Sequence, residues 1–166
     1  DRSYLNADGT MPRWTSNGEV GANGNSIERT LQNAAYFGAV PRVVRMGDTV
    51  MLLYLTDAGA GREDNDRSML VYSLWDENTE NWSEPKAVLE DDGTADFNPD
   101  IYSDGDKIYT VWQEAKGSLA GLSLEEMTGC LALHVAVYDA QKEQFVDLGL
   151  VESENGLFQQ RPQNVA

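Results

Sequence analysis

Basic residues are scarce in this chain: 12 Lys and Arg stand against 28 Asp and Glu, a formal net charge of −16 over 166 residues. Gripping a phosphate backbone takes clustered cations, so nucleic acid is excluded as a partner. An anionic membrane surface would repel the chain as well. Cysteine is scarcer still. A lone Cys130 allows no internal disulfide and no thiolate metal cluster, and beside a strand it reads as a small buried residue rather than a nucleophile. No apolar run nears the roughly 18–20 residues that cross a bilayer as a helix, which argues against membrane insertion. No signal peptide is visible at Asp1. Acid surfaces of this kind suit solubility, cations and neutral partners.

What the chain does have is a repeat. Pro41 to Tyr54 lies over Pro99 to Trp112 without a gap, Gly47-Asp48 falling on Gly105-Asp106. Each unit is followed by an Asp, an aromatic and a Val at spacings of six and six, as Asp76, Trp82, Val88 and as Asp139, Phe145, Val151. Asp8, Trp14 and Val20 carry the same spacing, and both Trp82 and Phe145 lie 17 residues before a Pro, at 99 and 162. A strand-rich repeat of about 60 residues signals a blade architecture. The Gly-Asp pairs read as hairpin turns. They are followed by a second strand from Val50 to Tyr54 or Ile108 to Trp112, and a third from Met69 to Trp75 or Leu131 to Tyr138. A fourth strand carries Trp82 or Phe145. Four antiparallel strands per repeat predict an all-β fold of β-propeller blades.

By this count the chain is a partial propeller domain over 1–166. It holds a partial blade 1–24, an inserted connection 25–40, blades 41–90 and 99–152, and the start of a next blade at 160–166. So few blades cannot close a ring. The rest of the propeller, or another copy of the chain, is expected to complete it. Along Leu131 to Tyr138 both faces are mostly apolar, as in a sheet packed on two sides, and His134 within it reads as a satisfied core or interface residue. Two connections contain helix signals: Asn25-Ser-Ile-Glu28 resembles a capping box and opens a run to about Tyr36, and Ser123-Leu-Glu-Glu126, ending near Gly129, suits one or two turns.

Strand alternation puts the short turns at one end and the long segments 15–40, 56–68, 90–98 and 114–130 at the other. Binding concentrates on long loops over a rigid scaffold. The candidate ligand-binding residues on that face are Tyr36, Arg62, Asp64, Arg67, Phe97, Glu114 and Arg161. Asp91, Asp92 and Asp96 are candidate metal ligands. Carboxylates with backbone carbonyls can hold Ca²⁺, although Asp91-Asp-Gly-Thr-Ala-Asp96 lacks the regular ligand spacing and distal Glu of an EF-hand, and its Asp-Gly pair equally forms a turn. No catalytic residue is assigned.

Ser73-Leu-Trp-Asp76 through Trp82-Ser-Glu-Pro85, followed by Asn98-Pro-Asp-Ile-Tyr-Ser-Asp-Gly-Asp106 and Val111-Trp112, resembles blades of the sialidase-like (BNR or Asp-box repeat) propeller superfamily. The family turn places its Trp five residues after the Asp and has a Gly between them. Here Trp82 comes six after Asp76 and the Gly is missing. That turn is structural in the family and lies away from its active site, so the resemblance implies the architecture more than the activity. Sialidases hold a substrate carboxylate with three arginines and use a Tyr–Glu pair and an Asp, none of which maps onto this sequence. The resemblance implies a portion of a secreted or cell-surface bacterial protein. Its expected role is non-catalytic glycan or protein recognition through the long-loop face. The alternatives are part of a sialidase-like glycoside hydrolase whose site is completed elsewhere, or an architectural domain.

Overall fold

In the computed structural model, which describes residues 40–59 and 61–151, period-two alternation of apolar residues becomes nine β-strands and little else. The expected partial blade 1–24, the connection 25–40 up to its last residue, the helix from Asn25, Tyr36, Arg161 and the start at 160–166 lie outside the described residues. The architecture is all-β, as expected, and consists of two open antiparallel sheets.

The first sheet contains β1 (Arg42–Met46), β2 (Thr49–Asp57), β3 (Ser68–Asp76), β4 (Asn81–Trp82) and β5 (Lys86–Ala87). β1 to β4 follow in order, and β5 also pairs with β3. The expected fourth strand is therefore broken into two short pieces. Pro85 lies in the break and has no N–H to offer a ladder. The second sheet is a plain meander of β6 (Asp96–Ser103), β7 (Ile108–Ala115), β8 (Leu131–Asp139) and β9 (Gln144–Val151). Its first strand opens three residues ahead of the expected start at Pro99. A bulge between Phe97 and Asp100, with Asn98 at φ 47°, absorbs the proline without ending the ladder.

The two sheets keep one register. Leu53 pairs with Tyr72 as Val111 pairs with Val135, and Trp75 pairs with Trp82 as Tyr138 pairs with Phe145. Both aromatic pairs meet edge to face, at 5.3 Å and 67° and at 5.4 Å and 62°. Between the two members of each pair an Asp caps the turn. Asp76 accepts from Asn78 N and Thr79 Oγ1, and Asp139 accepts from Gln141 N and Lys142 N. Four residues beyond each Asp a glutamate, Glu80 or Glu143, sits at φ 50°. The repeat read from spacing alone is thus a repeat in backbone geometry.

One core lies between the sheets. Met51, Leu53, Leu55, Leu70 and Tyr72 of the first face Ile108, Trp112, Ala136, Tyr138 and Phe145 of the second. On β8 the residues turned to this core (Ala132, His134, Ala136, Tyr138) are buried, while Leu131, Leu133, Val135 and Val137 on the other face are only half-buried. The last strand ends with Leu148, Leu150 and Val151 exposed. A smaller cluster of Ala95, Ala115 and Leu119 lies under the connection that contains α1 (Leu124–Gly129). The helix lies where one or two turns were expected, and it begins with a capping box: Ser123 and Glu126 exchange hydrogen bonds between side chain and backbone.

The long connections gather at one end, as strand alternation requires. Asp66, 5% exposed in the 58–67 connection, accepts from Ser118 Oγ at 2.5 Å and Leu119 N at 2.7 Å, which ties that loop to the 116–130 connection. Arg62 donates to Asp66 O, Thr94 O and the Asp91 carboxylate, which ties it to the loop before β6.

Candidate functional site

Where these loops meet, a cavity of about 360 Å³ opens between the start of β3, the 88–94 segment and the inner face of the second sheet. A line of ionisable side chains crosses its floor, one from each strand: Asp96 from β6, Glu114 from β7, His134 from β8 and Asp147 from β9. Asp96 and Glu114 are directly opposed across the ladder, which puts their Cβ atoms about 5 Å apart. Trp112, 2% exposed, completes the floor and stacks on His134 with centroids 4.6 Å apart and planes at 12°.

His134 lies between two carboxylates. Nδ1 is 2.5 Å from Glu114 Oε2, and Nε2 is 2.7 Å from Asp147 Oδ1. With acceptors on both sides, both ring nitrogens must donate, so the geometry calls for the imidazolium. Burial alone would lower the His134 pKa, but the hydrogen bonds to Asp147 and Glu114, together with their charges, outweigh it and raise the pKa above the usual value. Asp147 is opposed in the same way: burial would raise it, yet the His134 contact and the Gly149 N–H hold its carboxyl below the ordinary range.

Asp96 goes the other way. Burial beneath β3 pushes its pKa from 3.8 to about 7, and the charges of Glu114 and Asp92 push in the same direction. The hydrogen bond from Leu70 N, 2.7 Å from Oδ2, offsets only part of this. Trp112 Nε1 is near enough to favour the Asp96 anion, yet it is buried without a well-formed hydrogen bond. The floor therefore sets a carboxylic acid that keeps its proton near neutrality beside a carboxylate held by an imidazolium. That is the equipment for giving and taking protons, or for hydrogen-bonding a polar ligand from both sides.

Replacing Glu114 by Ala should destabilise the protein by about 2–3 kcal/mol at pH 6. This is less than for a fully buried ion pair, because Asp147 remains half exposed and still holds His134. The effect should depend on pH. A histidine whose folded pKa is raised contributes fully below its unfolded value of about 6.5 and loses that contribution as pH rises through the folded value. Urea titrations at pH 6 and pH 9 would check this. An equal loss at both would mean that His134 holds no proton between the carboxylates.

The structure distributes the expected site residues unevenly. Glu114 and Asp96 come together on the cavity floor. Asp91 and Asp92 stand at its mouth, where each carboxylate is used within its own turn, on Gly93 N and on Thr94 N and Oγ1. Asp96 points instead to Leu70 N, and among the described residues no group of three or more His, Cys, Asp or Glu is placed to hold a metal ion. Arg62 is taken up by the Asp91 loop. Arg67 donates from Nε and Nη2 to the two oxygens of Asp57, and from Nη1 to Asp64, whose side chain is 96% exposed. Phe97 packs on the small Ala95–Ala115–Leu119 cluster. His134 is satisfied and buried as expected, but it is also part of the site.

Asp147, His134 and Trp112 escaped the sequence reading as site residues. Their signal lies in the difference between the repeats. Glu114 and His134 occupy the positions of Thr56 and Val71 in the first sheet, so the Glu114–His134 pair belongs to the second repeat and not to the fold. At the opposite end a wider depression beside Trp75, Asp76 and Trp82 has its key carboxylate consumed by the Asp76 turn, where Asn78 N and Thr79 hold it below the ordinary range. Compared with protein-family models and with curated proteins, the chain matches none.

Proposed function

We propose that this chain is a portion of a sialidase-like β-propeller from a secreted or cell-surface protein, and that it recognises a neutral or cationic glycan in the cavity at the long-loop end. The observation that carries the reading is the Asp96–Glu114–His134–Asp147 line on the cavity floor. A protonated acid and two carboxylates can donate to and accept from sugar hydroxyls, while Leu70, Val88 and Leu89 offer an apolar wall. The propeller reading rests on the shared register of the two sheets and on the half-buried outer face of the second, which suits a further sheet.

An acidic sugar does not suit the site. A sialic acid carboxylate needs unpaired arginines, and each described arginine already has an oxygen partner: Arg42 has Asp100, Arg45 has Gly47 O, Arg62 has Asp91 and Arg67 has Asp57. The second reading, glycoside hydrolysis, is favoured by one observation, the raised pKa of Asp96 directly opposite Glu114. A glycosidase needs such an unequal pair, one member as acid and the other as nucleophile or base.

Glycan-array binding and a fluorogenic glycosidase panel, run on the chain and on Asp96→Asn, distinguish these readings. Binding that survives in Asp96→Asn with no turnover supports recognition. Turnover that falls by about 10²-fold or more in the variant supports hydrolysis. Silence in both assays leaves only an architectural role.

A further inference from the structure

The two repeats treat the same aromatic pair differently. In the second, Tyr138 and Phe145 are 5% and 6% exposed, and Tyr72 of the first sheet lies against both. The Tyr72 ring meets Phe145 edge to face with centroids 5.1 Å apart, and its hydroxyl donates to Glu143 O at 2.9 Å. The pair is thus capped by a ring that also carries a hydroxyl. In the first repeat the counterparts, Trp75 and Trp82, are only half-buried, and among the described residues they touch no ring but each other. The slot that Tyr72 fills in one repeat is open in the other.

The open slot has a polar rim. Trp75 and Trp82 line the depression at the short-turn end, about 750 Å³, together with the exposed Asp48, Glu77, Asn81 and Glu143. Asn81 Oδ1 accepts from Trp82 N, which leaves its Nδ2 free to donate. Among the described residues the Glu77 and Glu143 carboxylates take no hydrogen bond, and no lysine or arginine lines the depression. A protein surface laid over the slot would bury these carboxylates with nothing to answer them, at a cost of several kcal/mol. A ligand with an apolar face and hydroxyls around its edge covers the indoles and serves the rim together. An acidic ligand would be repelled.

We propose that the Trp75–Trp82 depression binds a neutral, β-linked hexose, its C–H face lying on the Trp82 indole where Tyr72 lies on Phe145, and its hydroxyls accepting from Asn81 Nδ2 and donating to the rim carboxylates. A β-linked pyranose with equatorial hydroxyls has the required shape: flat and apolar on its faces, polar all round its edge. An aromatic base with a few polar groups set beside it is the usual make-up of a small-ligand site. This site is separate from the long-loop cavity and uses none of the Asp96–Glu114–His134–Asp147 line.

The test follows the indole N–H resonances of the full chain by NMR, assigned with single Trp→Phe variants, during titration with a β-1,4-linked glucose tetramer. The expected result is a saturable shift of the Trp75 and Trp82 signals with the Trp112 signal unmoved. Trp82→Ala should weaken binding by about tenfold or more, as loss of a stacked ring implies. Asn81→Asp keeps the acceptor for Trp82 N and loses the side-chain donor, so it should weaken binding by about two- to tenfold with the circular dichroism unchanged. Two further probes test the chemistry. A tetragalacturonate that binds as tightly would overturn the preference for a neutral ligand. N-acetyltyrosinamide shifting the same two signals at lower concentration than the sugar would overturn the hexose and assign the slot to a protein tyrosine. A shift of Trp112 alone would overturn this site and support the long-loop cavity instead. No shift with any probe would overturn the proposal outright.

Discussion

Asp96→Asn should make the protein more stable at pH 8, by about 2–4 kcal/mol, and leave it almost unchanged at pH 4. The sign follows from the raised folded pKa, about 7 against 3.8. The native state keeps the Asp96 proton that the unfolded chain gives up, so stability falls as pH climbs from about 4 to 7, and the full penalty is in force above 7. At about 1.4 kcal/mol per unit the shift corresponds to roughly 4 kcal/mol, and solvent reaching the partly buried carboxyl brings the lower end into range. Asn keeps an oxygen for Leu70 N and carries no charge. Urea unfolding of both proteins at the two pH values tests this, and a variant less stable than the parent at pH 8 would contradict it.

Tyr72→Ala should cost about 3–5 kcal/mol, among the largest effects of any single change in the described core. Its ring touches Tyr138 at 5.9 Å and Phe145 at 5.1 Å, both edge to face, and so joins the first sheet to the aromatic pair of the second. Its hydroxyl donates to Glu143 O at 2.9 Å, across 71 residues of sequence. Tyr72→Phe keeps the packing and drops only that bond, so it should cost about 1 kcal/mol. Thermal and urea denaturation of the two variants would separate packing from hydrogen bonding. Equal losses would mean that the aromatic contacts between the sheets contribute little.

Much of the fold was legible because it is written twice. Gly47-Asp48 over Gly105-Asp106 fixed both hairpins, and the Asp-to-aromatic spacing fixed both caps. What spacing could not show is how Pro99 is accommodated. A bulge at Phe97–Asp100 carries the strand past the proline and draws Asp96 out of a supposed metal loop into the sheet, opposite Glu114. The site was half legible for the same reason. Glu114 was picked out because it ends a strand on the long-loop face. His134 and Asp147 were not, because His134 on an apolar, alternating strand reads as core and no spacing marks Asp147. Three separate strands bring them together, and only cross-strand register joins residues 20 and 13 positions apart.

The exposed Leu148, Leu150 and Val151 at the end of β9 bear on how the protein behaves at the bench. An exposed apolar strand end invites a neighbour, and among like molecules the main deterrent is mutual repulsion from a charge of −16. Salt screens that repulsion but leaves the greasy rim untouched. Concentrated stocks should therefore stay clear in dilute buffer and turn turbid as salt is added, the reverse of ordinary salting-in.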